Sequence, residues 1–224
     1  MPGDKDEVLF PAFSNHHSLT ASAKKTMTRL LISILLVTSF LTAHGQPTEV
    51  TADYYTEIKS FDLATIFAAD SFVTEGPGAY SPKVNRPDPY GYIDTNYTRF
   101  YIHFISATQN KENPYQYNII GKTRVKNNIC NFHGTITFKK AKLYIEPEFP
   151  KTKMGFAIGE VLFYEDTNQT GSGVIKGKLT SNFYLDKKGQ LKYNSLMWGS
   201  DGFSNNEVIG TWTSYKTKKT KKCN

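Results

Sequence analysis

Cysteine, histidine and tryptophan are scarce in this chain of 224 residues, which holds two Cys, five His and two Trp. Two cysteines are too few for the disulfide framework of a small stapled domain. His16, His17 and His44 fall in an N-terminal leader, so only His103 and His133 remain for the folded part. Both sit on the polar side of alternating segments, and no further ligand stands at the spacing a zinc site requires. A nucleophile elbow and a cofactor fingerprint are also missing. Glu160 and Glu165 are five apart on one strand and so face opposite ways, while Glu146 and Glu148 flank Pro147 in a loop. Neither pair is a matched acid and base. The sequence therefore predicts no catalytic residue, no metal site and no cofactor.

Long apolar runs are missing as well. The longest, from Leu30 to Leu41, stops well short of the about 20 residues that a membrane-spanning helix needs. Arg29 precedes it and Ala43-His44-Gly45 follow, which is the three-part layout of a secretory signal peptide. The expectation is a leader over residues 27–45, cut near Gly45/Gln46. The mature chain would then be secreted or periplasmic, with no transmembrane segment. Residues 1–26 precede a second methionine, Met27, and are expected to lie upstream of the true start.

The formal charge of +7 is unevenly placed. Lys216, Lys218, Lys219, Lys221 and Lys222 crowd the last nine residues, so 218–224 reads as a Lys-rich tail and the preceding domain as nearly neutral. Nucleic-acid binding asks for bases spread over a face, and no nucleic-acid partner is expected. In an oxidising compartment Cys130 and Cys223 are expected to form a disulfide that pins this tail to the body.

From Arg99 to Thr217 seven extended segments follow one another, with cores at 99–107, 117–126, 130–145, 155–165, 173–185, 190–198 and 207–217. Phe100, Ile102 and Phe104 alternate with Arg99, Tyr101 and His103, and Ile175, Leu179, Phe183 and Leu185 alternate with polar neighbours. Period two with one apolar face marks half-buried antiparallel strands. The short connections, including Asp166–Gly171, suit hairpin turns. That last loop opens like a calcium loop but has Gly177 where the bidentate glutamate belongs.

Gly121, Gly134, Gly177 and Gly210 each fall on the apolar side of a strand. Glycine there marks a sharp bend or a close backbone approach, so the expected fold is all-β, a single antiparallel meander coiled into a small β-barrel in preference to a β-sandwich. Coiled strands of this kind carrying Gly210-Thr211-Trp212 resemble the calycin superfamily at the level of fold. In lipocalins the Gly-x-Trp opens the barrel, whereas here it lies in the last strand, and the resemblance implies a fold, not a ligand.

Residues 46–98 are expected to form a helical turn at 62–70 and then a Pro-, Gly- and Tyr-rich loop over 74–97. Tyrosine and tryptophan at a wet rim suit stacking against sugars, lipids or protein side chains. The candidate ligand-binding residues are Tyr90, Tyr92, Trp198 and Phe203. The functional expectation is a non-enzymatic binding or interaction protein whose partner is a glycan, lipid or protein of the cell envelope. A small glycan-acting hydrolase and an envelope structural protein are the alternatives.

Overall fold

The computed structural model describes residues 50–74, 83–146, 149, 152–196 and 198–224. The leader expected at 27–45, the extension before it, and part of the Tyr-rich loop, Tyr80 included, lie outside the described residues. Among these residues twelve strands and two short helices follow in order. They are β1 (Thr51–Asp53), α1 (Tyr55–Ile58), α2 (Ala64–Ala68), β2 (Ser71–Val73), β3 (Lys83–Asn85), β4 (Tyr90–Ile93), β5 (Thr98–Gln109), β6 (Gln116–Val125), β7 (Asn128–Tyr144), β8 (Lys153–Glu165), β9 (Gly173–Leu185), β10 (Leu191–Tyr193), β11 (Glu207–Ser214) and β12 (Thr220–Cys223).

Every pairing is antiparallel, as hairpin connections dictate. The ladder runs β4–β5–β6–β7–β8–β9–β11–β12 and returns to β4, so the strands ring round into a barrel-like all-β fold. The ring is uneven. Between β5 and β9 the ladders are long, but β12 meets β4 through the single register pair Cys223 and Ile93. At one end β7, β8 and β9 outrun their neighbours, and the short strands β1 and β10 flank them there. Separately, β2 and β3 form a two-stranded sheet.

Inward side chains alternate as the period-two pattern requires. Phe100, Ile102 and Phe104 of β5 meet Tyr117 and Ile119 of β6, Phe132, Ile136 and Phe138 of β7, Phe163 of β8 and Ile175 and Leu179 of β9. Burying each such side chain contributes roughly 1.5–3 kcal/mol relative to leaving it in water. The inward glycines sit where strands come closest. Gly177 and Gly210 face one another in the register, and a Cβ on Gly210 would lie 2.1 Å from the Lys176 carbonyl oxygen. On Gly121 it would collide with the ring of Phe132. Register shifts at Phe104/Ser106 and Phe138/Lys140 bend β5 and β7 further.

Three expectations change. Cys130 and Cys223 are separate buried thiols, not a disulfide. Cys130 stands opposite Thr123, with its sulfur against the Asn128 amide and the Thr170 carbonyl, whereas Cys223 packs into the apolar core beside Ile93. The Lys-rich end is strand β12, not a trailing segment, turned back on β11 through Lys218 at φ 57°. Further upstream, the segment expected at 190–198 contracts to the three residues of β10.

Candidate functional site

The two ends of the barrel are built differently. At the end where β7, β8 and β9 overrun, α1 and α2 enter the gap. Phe67 of α2 sits against Phe104 and Tyr117 at 6.4 and 5.7 Å and stacks on Phe138 at 5.8 Å. The Leu63 amide donates to the Tyr117 hydroxyl at 2.9 Å, and that hydroxyl donates to the Phe61 carbonyl at 3.3 Å. Desolvation pushes the Tyr117 hydroxyl up to about 12. Arg86 closes the outer end of α2, its guanidinium donating to the carbonyls of Ile66 and Phe67 while lying over the Tyr193 ring at 5.4 Å.

The opposite end gathers the turns 94–97, 126–127, 166–172 and 215–219. A cavity of about 450 Å3 opens there, floored by Ile93, Phe100, Val125 and Trp212. Glu165 lines it although only 4% exposed. Its Oε1 accepts from the Thr123 hydroxyl on β6, and its Oε2 accepts from the Gly173 amide at 2.7 Å and the Trp212 indole N–H at 2.8 Å. One carboxylate thus joins β6, β8, β9 and β11 across the lumen. Buried carboxyl oxygens are tolerable where donors meet them. Nearby groups register its charge: burial pushes the Cys130 thiol up and Glu165 adds to the shift, and Tyr215 is raised in the same order of causes. At the rim, Lys221 Nζ lies 2.8 Å from Asp94 Oδ2, and this hydrogen bond holds the Asp94 carboxyl below its ordinary range.

The four candidate residues divide. Trp198 and Phe203 meet edge to face at 5.2 Å and pack with Phe72 and Tyr193, so they anchor the 199–206 loop. Tyr90 and Tyr92 instead project from the outer face of β4, 63% and 40% exposed. Tyr90 and Phe203 nevertheless line one cavity of about 310 Å3, floored by Phe100, Ile102 and Val208. Trp198 and Tyr92 do not line it.

Of the groups considered for chemistry, His103 Nδ1 lies 2.7 Å from Asp88 Oδ1 on the outside of the sheet. Glu160 faces solvent 3.6 Å from Lys139, on the other side of β8 from Glu165. Loop 166–171 is a hairpin turn closed by the Gln169 amide on the Asp166 carbonyl, with Gly171 at φ 72°. No cluster of three potential metal ligands occurs among the described residues, and no helix among them is long and apolar enough to cross a membrane. No family model, curated protein or solved structure matches the chain.

Sequence reasoning missed Glu165, Thr123 and Trp212 as a group. The available signal was phase: Glu165 follows Val161 and Phe163 at every second position, and Trp212 follows Val208 and Gly210. A charged residue in phase with core residues is the exception worth pursuing.

Proposed function

We propose that this is an exported, non-enzymatic binding barrel that takes a small amphipathic ligand at the end where Glu165 lies. The observation that carries the reading is the cavity of about 450 Å3 with a buried carboxylate at the turn end, larger than the cavity of about 310 Å3 that flanks the Phe67 plug at the other. That volume is in the range of small-molecule sites, which combine apolar walls with a few fixed polar groups. Trp212 and Phe100 offer ring surface, and Glu165 offers an acceptor for a hydrogen-bond donor or cationic head group. Export is supported by the apolar run and small residues ahead of Gln46.

Native mass spectrometry of the protein purified without denaturant tests this. The expected result is an adduct of defined mass on the wild type, lost in Glu165→Gln and Trp212→Phe while the folded charge-state distribution is kept. Adducts that survive both substitutions would move the site elsewhere. A bare wild type, with no change in tryptophan emission on titration with alkylamines, would overturn it.

A second placement of the same function has its own support, since Tyr90 and Phe203 converge on the smaller cavity from distant parts of the chain. Adduct loss in Tyr90→Ala with retention in Glu165→Gln would select it.

A further inference from the structure

The charge on the strands is segregated. None of β4, β5, β6 and β7 contains an aspartate or glutamate anywhere along its length. Their outward positions near the seam carry Tyr90 and Tyr92 on β4, Arg99, Tyr101 and His103 on β5, and Lys122 and Arg124 on β6. Register sets these in rows, Tyr90 across from Tyr101 across from Arg124, then His103 across from Lys122. The Arg124 guanidinium lies 4.1 Å from the Tyr101 ring centre and that of Arg99 lies 5.3 Å from the Tyr90 ring centre. Neither has a carboxylate partner among the described residues. The hydrogen bond and charge interaction with Tyr101 raise the affinity of Arg99 for its proton. Asp88 is taken up by His103 at 2.7 Å, and Asp94, just past β4, by Lys221 at 2.8 Å.

We propose that this outer face of β4, β5 and β6 binds an acidic polysaccharide, its arginines engaging carboxylate or sulfate groups while Tyr90 and Tyr101 hold the guanidiniums in place. A guanidinium stacked on a ring keeps its N–H donors in plane and available, the geometry that pairs bidentately with an oxyanion. Strands stand about 4.8 Å apart, so cations on adjacent strands meet successive anionic groups of an extended chain. Single-stranded nucleic acid fits less well, because base stacking wants bare ring faces and here arginines lie over Tyr90 and Tyr101. The outer side of β8 and β9 makes the contrast. There Glu160 stands across from Lys178 and beside Lys139, so the charges neutralise one another. The site is separate from the Glu165 cavity and stands or falls independently of it.

Titration calorimetry with the full chain tests the proposal, using hexagalacturonate, a heparin-derived hexasaccharide, the methyl-esterified hexagalacturonate and an oligo-dT of matched charge. The expected result is binding of at least one acidic glycan that weakens with added salt, with little binding of the neutral ester or the oligonucleotide. Arg99→Ala and Arg124→Ala should each weaken it about tenfold, the loss of one charge-assisted contact. Lys176→Ala, on the outer face of β9, should leave it unchanged, and thermal melts confirm that each variant folds. Equal binding of oligo-dT would reduce the face to a non-selective polyanion surface and overturn the proposal. Wild-type affinity in the double arginine variant, or no binding of either acidic glycan, would overturn it as well.

Discussion

The two ends of this barrel are closed by opposite chemistry. At the helical end Phe67 fills the opening with ring surface against Phe104, Tyr117 and Phe138, and the few hydrogen bonds present serve the backbone of the entering segment. At the turn end a single carboxylate ties four strands together through a hydroxyl, a backbone amide and an indole. An apolar plug is strong and non-directional, and it confines the space at that end to the smaller cavity beside β4 and β11. A polar tie is weaker and directional, and it leaves the space beside it open.

Substitutions can break this contrast in order of size. Phe67→Ala should cost most, about 3–5 kcal/mol, because it removes a buried ring where the barrel wall cannot collapse inward. Urea denaturation should show a lower midpoint with little change in slope, and an effect under about 1 kcal/mol would show that the plug is dispensable. Glu165→Gln should cost less, about 1–3 kcal/mol, through donors left poorly paired. It should also shift the emission of Trp212, a change that Phe67→Ala, at the far end, should not produce. The smallest effect is on pH dependence. Tyr117 is pushed up to about 12 because the fold favours its neutral form. Its contribution is whole below the ordinary tyrosine value near 10 and disappears as pH rises through about 12. Stability should therefore fall across that window, and less steeply in Tyr117→Phe. Part of the fall should persist there, since Tyr193 is also raised to about 12 and Cys223 to about 11.

Much of this fold was legible in alternation. Phe100, Ile102 and Phe104 mark β5 as plainly in sequence as in space, and Gly121, Gly134, Gly177 and Gly210 foretold close strand approaches. β12 was hidden because Lys221 and Lys222 mask its phase and leave Cys223 as its lone apolar residue. β4 was hidden because Pro87, Pro89 and Gly91 read as breakers, although a proline just ahead of a strand costs it no ladder bond. The carboxylate tie was unreadable for a different reason. Glu165 precedes Asp166 and reads as the start of a turn, and its donors come from β6 and β11, distant in sequence, as well as from nearby Gly173. Pairwise register supplies that information and local pattern does not.

The narrow seam between β4 and β12 also orders the events of synthesis. Hairpins from β5 to β9 can zip vectorially, each strand finding its partner soon after it is made. Ile93 has no such neighbour on its far side until Cys223 is made, long after β4 itself. Contacts so distant in sequence are entropically expensive and form late. The ring of strands therefore cannot close before Thr220–Cys223 are made.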